Sequence, residues 1–398
     1  MFTTTFLSYV LLAIAVTADP IVVRENFIRL PFAKQVNLTS ASNVLKADQA
    51  RAAGLRTLRQ AKPSGSLTKD AVVNVGVQNQ AVHYVASVGI GSPATTYSLI
   101  IDTGSSNTWV GASKPYVMTS TSKLLSYFPS GQMQGFEFSD QVSLGPGLII
   151  ANQSLGVAFQ TQGFAGVDGV LGLGPVEFSN LPSDPNTPIP TVTDNLFSQG
   201  SITQNEFAIY FEPTTQAIAN NGELTFGGTD SSKFTGGITF TPSTEQWDIE
   251  QSIRYGASNT ILSTAIGMVD TGTNLILIAS DAFSKYTTAT GAVLDSNTGL
   301  LRLTAAQFNN LKSLFFIISG REFELTANAQ AWPRSLNTLI GGTSGNIYLI
   351  VASTGWQSGS GTDFFNGIAF LERFYSVFDT TNKRVGFATT RFTKAITN

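Results

Sequence analysis

One short sequence occurs twice in this chain, and it restricts the possible folds more than any other feature. Residues 99–106 read LIIDTGSS and residues 267–274 read GMVDTGTN. Each copy is a hydrophobic run that enters Asp-Thr-Gly and continues with a hydroxyl residue, whereas a single Asp-Thr-Gly would be an ordinary turn. Two copies, 168 residues apart, predict two related halves that each carry a buried strand and such a loop.

The repeat places a carboxyl group at the end of each hydrophobic strand. An isolated buried charge is costly, so Asp102 and Asp270 need stabilising neighbours, and the glycine after each Asp-Thr lets backbone N–H groups approach. If a pseudo-twofold axis relates the copies, the two carboxyls meet at it, and two touching carboxyls cannot both ionise easily. One can then act as a base on water while the other acts as an acid.

Composition removes most other chemistries. The 398 residues include no cysteine and one histidine, His83. Zinc fingers, iron–sulfur sites and thiol proteases need cysteine, and metal sites built on two histidines need more than His83. His83 lies in an alternating strand and is interpreted as a surface or packed strand residue. No metal or organic cofactor is implied.

The first 70 residues differ in charge from the rest. Residues 1–18 are uncharged, contain an apolar run too short to span a bilayer and end in Val-Thr-Ala, which predicts a signal peptide. Residues 19–70 hold nine basic and four acidic residues, against 14 and 22 in residues 71–398. This predicts a basic activation prosegment held partly by opposite charge, with a solvated linker as the alternative. An acidic body also argues against nucleic acid as a partner.

From residue 71 onward the pattern is all-β. Short runs of β-branched and aromatic residues alternate with polar ones and stop at Gly, Asn, Ser or Thr. We expect an N-terminal β lobe over residues 71–242 and a C-terminal β lobe over residues 243–398, with few short helices. The strand candidates include residues 82–88, 207–211 and 237–240, and the helix candidates are residues 280–287 and 304–315.

The sequence resembles the pepsin-like aspartic endopeptidases (peptidase family A1), most closely their cysteine-free, polyporopepsin-like fungal branch. The resemblance covers nearly everything from residue 81 to the C-terminus, and Leu30-Pro31-Phe32 resembles the family's prosegment strand. Besides the two repeats, it rests on Trp109 and on residues 89–93 (GIGSP), 168–174 (DGVLGLG), 222–228 (GELTFGG) and 370–379 (FLERFYSVFD).

The resemblance implies a bilobed pepsin-like acid protease fold and a catalytic pair formed by Asp102 and Asp270. It implies that the threonines after them bond across the lobe interface, and that the glycine N–H groups and the next hydroxyls bond to the carboxylates. The residues in these supporting roles are Thr103, Gly104, Ser105, Thr271, Gly272 and Thr273. Residues 170–172 match the turn behind the first loop.

Two segments of the cleft depart from the family pattern. Asn274 stands where Ser or Thr is usual, at a substrate subsite. Residues 365–368 (FNGI) replace apolar-apolar-Gly-Asp, which removes a carboxylate near the second catalytic loop.

The flap is the third departure. Residues 126–135 read SYFPSGQMQG in place of Tyr-Gly followed by small residues. Tyr127 is the predicted flap tyrosine, bonded toward Trp109, if one residue is inserted; otherwise the position falls on Phe128. We expect a hairpin over the substrate, with the insertion as a bulge next to Pro129.

The predicted function is that of a secreted, extracellular endopeptidase (alternatively vacuolar) that cleaves extended polypeptides between hydrophobic residues at acidic pH. We expect a monomer without a membrane anchor, inhibited by its own prosegment through one lysine near the dyad, Lys62 or Lys69. The mature chain should begin between residues 65 and 75, and Asn152 is a glycosylation candidate. The alternatives are a catalytically impaired homologue that binds peptides and, in another class, a two-carboxylate glycosidase.

Overall fold

The computed structural model describes residues 27–36, 44–61, 82–128, 134–145, 148–161, 164–181, 184–244 and 246–397. The predicted signal peptide, Lys62, Lys69 and Pro129 therefore lie outside the described residues. No helix within the described ranges is long and apolar enough to cross a membrane.

Strands dominate the described chain, as the sequence predicts. The strands are β1 (Ile28–Val36), β2 (Val82–Ile90), β3 (Thr95–Asp102), β4 (Trp109–Val110), β5 (Lys123–Phe128), β6 (Gln134–Gly145), β7 (Leu148–Gln160), β8 (Gly169–Gly172), β9 (Asn180–Leu181), β10 (Asp184–Pro188), β11 (Glu206–Phe211), β12 (Ile218–Phe226), β13 (Thr235–Pro242), β14 (Asp248–Tyr255), β15 (Asn259–Val269), β16 (Ile276–Ile278), β17 (Val293–Leu294), β18 (Leu301–Leu303), β19 (Leu314–Ile318), β20 (Arg321–Leu325), β21 (Ile347–Tyr348), β22 (Val351–Ser353), β23 (Phe364–Asn366), β24 (Phe374–Asp379) and β25 (Arg384–Thr389). The α-helices are α1 (Val44–Ala61), α2 (Val192–Ser198), α3 (Ser280–Thr290), α4 (Ala305–Asn309) and α5 (Ile368–Leu371). Three 3₁₀ helices, Val176–Phe178, Asn328–Gln330 and Arg334–Ile340, complete the described elements.

Two large sheets hold the molecule together. The larger has the order β13-β25-β24-β11-β12-β1-β2-β3-β8-β4-β7-β6-β5, and the other has the order β20-β19-β14-β15-β23-β16-β22. β11 (EFAIYF) and β24 (FYSVFD) are buried along their whole length, which explains why apolar and aromatic residues predominate in them without strict alternation. The pairing of β24 with β11 and of β25 with β13 ties the C-terminal strands to strands from the middle of the chain.

The N-terminal strand β1 lies inside the larger sheet. It pairs antiparallel with β12 on one side and with β2 on the other, so that Leu30 faces Leu224 and Phe32 faces Ala86. The Phe32 ring also packs edge-on against Phe211, with centroids 5.0 Å apart. The strand expected from Leu30-Pro31-Phe32 is confirmed.

One helix prediction is confirmed and one is wrong over most of its length. α3 covers residues 280–287 and ends at Gly291, whose φ of 64° suits glycine. In residues 304–315 only α4 is helical, begun by a capping box in which Thr304 and Gln307 bond to each other's backbone. The following LFFII sequence forms β19 because it pairs with β14 and β20, and this sheet pairing outweighs the local helical pattern.

Candidate active site

The two aspartates end buried strands and lie at equivalent places. β3 delivers Asp102 and β15 leads into Asp270, and their side chains are 3% and 0% exposed. Gly172 of β8 runs parallel beside Asp102, and the Asp270 N–H donates to the Asn366 carbonyl at 3.2 Å. Each loop is therefore backed by a neighbouring strand that fixes where its carboxyl group lies.

The two loops are joined by a reciprocal pair of threonines. The Thr103 N–H donates to Thr271 Oγ1 at 2.9 Å, and the Thr271 N–H donates to Thr103 Oγ1 at 3.0 Å. Each hydroxyl in turn donates to a carbonyl of the opposite strand, Val269 at 3.0 Å and Ile101 at 2.9 Å. Four bonds across a buried contact hold the loops rigidly in register, in the arrangement that the resemblance implies.

Each carboxylate receives the same two local hydrogen bonds. In the first loop the Gly104 N–H donates to Asp102 Oδ1 at 2.9 Å and the Ser105 hydroxyl to Oδ2 at 2.5 Å. In the second loop the Gly272 N–H and the Thr273 hydroxyl bond to Asp270 at 3.0 and 2.6 Å. These donors supply part of the stabilisation that a buried carboxylate needs.

There is no room for a side chain at the glycine of either loop. A Cβ atom at Gly104 would collide with the Asp270 carboxylate, and one at Gly272 would collide with the guanidinium of Arg51. Glycine therefore lets the second carboxyl and a cation approach the loop closely.

A guanidinium bridges the two carboxylates. Arg51, 1% exposed, donates from Nη2 to Asp102 Oδ1 at 2.5 Å and to Asp270 Oδ1 at 2.8 Å, and from Nε to Asp270 Oδ2 at 2.7 Å. Burial alone would raise the pKa of Asp270, but the Arg51 charge and its hydrogen bonds lower that pKa below its ordinary value. Burial disfavours charged Arg51, yet the two carboxylates raise the pKa of Arg51 overall.

Among the described residues Arg51 supplies the cation that was expected from a lysine near the dyad, and the candidates Lys62 and Lys69 lie outside those residues. Arg51 lies on α1, and no helix was predicted in that segment. The buried apolar residues of α1 recur at Val44, Ala47, Ala52 and Leu55, which is the spacing of one helix face. Asp48 and Arg51 fall on this same face, so two charged residues within an apolar helical stripe are the signal that could have found them.

Asp48 contacts the second loop one helical turn before Arg51. Its carboxyl group accepts hydrogen bonds from the Asn274 N–H (3.1 Å), the Asn274 side-chain amide (3.1 Å) and the Leu275 N–H (2.8 Å). Burial is the main reason that the pKa of Asp48 is raised to about 7, and the three donors oppose this shift. Asn274, predicted at a substrate subsite, is 5% exposed under this helix.

The other departure from the family pattern, at residues 365–368, places a pair of side-chain amides near the second loop. Asn366 and Gln251 exchange two side-chain hydrogen bonds, at 2.8 and 3.1 Å. Ile368 stands at the place of the missing carboxylate, and its N–H donates to the Thr273 carbonyl at 2.8 Å. Neutral groups therefore back this loop.

β5 and β6 pair antiparallel and form the predicted hairpin. The register shifts between Leu124 and Ser126, which places one irregularity near Leu125. Because Pro129 lies outside the described residues, the bulge expected next to it stays a prediction. The Tyr127 side chain is 52% exposed and its ring lies 5.2 Å from that of Phe136.

The predicted partner of the flap tyrosine has another neighbour. The Trp109 ring is buried and packs edge-on against Phe164 at 4.6 Å, and within the described chain no hydrogen bond joins it to Tyr127. The assignment of Tyr127 as the flap tyrosine stays a prediction.

Two further predicted residues lie apart from the dyad. Asn152 is exposed, so a glycan could extend from it into solvent. Its backbone φ is 57°. His83 is buried in β2, opposite Gln35, and burial lowers its pKa to about 4. His83 is thus a packed strand residue, one of the two readings that its alternating pattern allows.

Comparison with known proteins shows which family this chain resembles. Residues 83–390 match the family described as "Eukaryotic aspartyl protease". Polyporopepsin from Irpex lacteus is 60% identical over 338 residues, covering 82% of this chain and 99% of that protein. Cathepsin D from Dictyostelium discoideum is 30% identical, covering 77% and 83%. The crystal structure of an aspartic proteinase from Irpex lacteus superposes with a TM-score of 0.78 and 52% identity, covering 94% of this chain and 100% of that one.

Proposed function

This chain belongs to the eukaryotic aspartyl protease family and is an aspartic-type endopeptidase, and we propose that it is a secreted zymogen in which Arg51 blocks the dyad of Asp102 and Asp270. The observation that carries the proposal is the single guanidinium bonded to both carboxylates. While it is there, neither carboxyl can activate water, because both are held as ion pairs.

In the mature enzyme the dyad would act once the guanidinium has left. Two carboxyls this close then share a proton, and their two apparent pKa values belong to the pair. The charged carboxyl takes a proton from a water molecule as that water attacks the peptide carbonyl. The protonated carboxyl donates its proton to the carbonyl oxygen. When the tetrahedral intermediate collapses and the C–N bond breaks, the carboxyl that took the proton from water donates it to the leaving amine, and the other carboxyl recovers its proton from a hydroxyl of the intermediate. The loop donors orient both carboxyls throughout.

Complementary charge supports the prosegment assignment for residues 19–70. Outside the dyad, Arg29 pairs with Asp230 at 3.0 Å, Lys34 with Glu372 at 3.3 Å and Arg59 with Asp248 at 2.7 Å. Asp230 and Asp248 are buried and the Glu372 side chain is 12% exposed, and a solvated linker would have no reason to meet such carboxylates at each of these places. The basic segment is thus bound to the acidic body by specific pairs, as an intramolecular inhibitor requires.

The comparison with polyporopepsin supports a boundary between prosegment and enzyme. The alignment covers 99% of polyporopepsin but only 82% of this chain, so nearly a fifth of this chain has no aligned counterpart in polyporopepsin. A leader and prosegment of 70 of the 398 residues would be of about the same size as this share. We therefore keep the prediction that the mature protein begins between residues 65 and 75 and consists of two lobes, assigned to residues 71–242 and 243–398.

Substrate class and location follow from the resemblance. We propose cleavage of extended polypeptides between hydrophobic residues at acidic pH, by a secreted monomer with no membrane anchor. The alternative of a catalytically impaired, peptide-binding homologue predicts binding of a statine-type inhibitor without cleavage.

The test is digestion of a denatured protein at acidic pH by the acid-treated full chain, with and without pepstatin. Wild type should cleave, and Asp270→Asn should reduce turnover to below about a thousandth, because the amide cannot exchange the proton. Sequencing of the N-terminus in the same sample identifies the mature start. An active enzyme that still begins at residue 19, or an Asp270→Asn variant that retains substantial turnover, contradicts the proposal.

A further inference from the structure

The chain from Gly111 to Tyr127 lies on the outside of the molecule. None of residues 111–127 is buried, and no other stretch of the described ranges runs as far without a buried residue. Residues 113–122, the irregular segment, form neither helix nor strand, and β5, which follows, is the outermost strand of the larger sheet. Few packing contacts therefore oppose local opening of this part of the chain.

Side chains hold the irregular segment in place. Its one backbone–backbone hydrogen bond among the described residues runs from the Ser122 N–H to the Thr119 carbonyl at 3.2 Å. The Val117 N–H donates to the Tyr97 hydroxyl at 3.0 Å, and the Ser122 hydroxyl donates to Asp140 at 2.7 Å. No disulfide closes the segment, because the chain contains no cysteine. Local opening therefore breaks mainly side-chain hydrogen bonds, which water can replace, and not a strand ladder.

The irregular segment carries two adjacent exposed apolar side chains. Val117 is 47% and Met118 is 64% exposed. Within the described chain two other adjacent pairs of large hydrophobic residues are exposed, Leu124–Leu125 in β5 and Val293–Leu294 in β17, and both strands pair with a neighbour. A bond in a strand must leave its ladder before it can enter a cleft as extended chain. The bond between Val117 and Met118 has no ladder to leave, and exposed irregular segments are preferred sites of nicking.

We propose that the mature enzyme cuts a second copy of itself between Val117 and Met118. The inference rests on the proposed function, from which it takes the preference for hydrophobic residues and the acidic working pH. Hydrolysis adds one water molecule: a C–O bond forms at the Val117 carbonyl carbon and the C–N bond to Met118 breaks. The dyad passes a proton from the water to the Met118 nitrogen, so the products carry a new carboxyl group and a new amino group.

The substrate is a second molecule because the irregular segment is fixed at both ends in its own lobe. It begins shortly after β4 and ends where β5 begins, and β4 pairs with β8, the strand beside Asp102. After the cut the two pieces stay together, because β2 and β3 precede the cut and pair with β6 and β8, which follow it. The cut is therefore visible only after denaturation.

The experiment incubates a trace of acid-matured wild type with an excess of the acid-treated full chain carrying Asp270→Asn, which should be unable to cut itself. Samples taken over time are denatured, and new N-termini are identified by mass spectrometry. Apart from the mature start, the first new N-terminus should be Met118. Pepstatin should prevent its appearance.

Three substitutions in that substrate test the choice of bond. Met118→Lys places a charge beside the bond and should slow the cut at least about tenfold. Leu294→Lys is the matched control, because Leu294 is similarly exposed at 59% but lies in β17, and it should leave the rate unchanged. Ser122→Ala removes the hydroxyl that bonds to Asp140 and accepts from the Thr119 N–H. It should speed the cut about tenfold by raising the population of the open segment.

The outcomes distinguish this inference from its premise. A first internal cut at any other bond, Leu124–Leu125 included, refutes the inference while the proposed protease stands. A substrate whose mature part stays whole while the same enzyme digests a denatured protein has the same meaning, and so do equal rates for Met118→Lys and its parent. Failure of wild type to digest denatured protein refutes the proposed function and the inference together.

Discussion

Replacement of Arg51 by methionine should release the dyad at neutral pH. The variant keeps an apolar side chain of similar length but removes the group that bonds both carboxylates. Loss of one partner from a buried ion pair costs about 3–5 kcal/mol, because the remaining charge stays buried and uncompensated. At 1.4 kcal/mol per factor of ten, the docking equilibrium of α1 should weaken between about a hundredfold and a few thousandfold.

The assay is retention of the intact full chain on an immobilised statine-type inhibitor at pH 6.5, before any cleavage occurs. Wild type should pass through, and Arg51→Met should be retained. Arg56→Met is the matched control, because Arg56 lies on the same helix and stacks on Trp356 at 4.8 Å, away from the dyad. Unchanged circular dichroism would show that the body is folded.

The pH dependence gives a second readout. The docked Arg51 lowers the pKa of Asp270. The ionised Asp270 therefore stabilises the docking of α1 above the ordinary aspartate pKa of 3.8, and this stabilisation is lost as pH falls through the lowered pKa of Asp270. Wild type should thus become retained only in acid, below about pH 4, whereas Arg51→Met should be retained at every pH tested. If Arg51→Met is excluded as completely as wild type at pH 6.5, the guanidinium does not hold α1 in place.

Three further outcomes are expected. Burial raises the pKa of Asp48 to about 7, so the contribution of Asp48 to the docking of α1 is complete below pH 3.8 and is lost as pH rises toward 7. Asp48→Asn should remove up to about 4 kcal/mol of this pH dependence. Limited proteolysis of α1 between pH 4 and 8 measures the difference. Thr271→Val removes the acceptor of the Thr103 N–H and should lower the free energy of unfolding by about 2–4 kcal/mol in a denaturant titration. Tyr127→Phe should lower peptide turnover while leaving the thermal midpoint nearly unchanged; an unaltered kcat/KM removes Tyr127 from the flap role.

The sequence alone was enough to predict that two aspartates and their loops lie together. Asp102 and Asp270 lie at the ends of hydrophobic strands, and the residues after them are fixed by local requirements. The turn needs a glycine, whose N–H reaches the carboxylate two residues before it, and a hydroxyl that reaches the carboxylate three residues before it. Such requirements involve only neighbouring residues, so a short stretch of sequence is enough to recognise them. A duplicated motif of this kind therefore indicates the family and predicts the site.

Tertiary structure decided which distant group meets the site. Arg51 is 219 residues from Asp270 in sequence, and only the docking of α1 brings them together. The charge excess of residues 19–70 predicted a cation near the dyad and the sequence analysis named Lys62 or Lys69, but any of nine basic residues satisfies a net-charge argument. The end of the predicted helix at Asn309 was likewise set by pairing of β19 with β14. Contacts between segments far apart in the chain depend on packing geometry, which local sequence patterns do not encode.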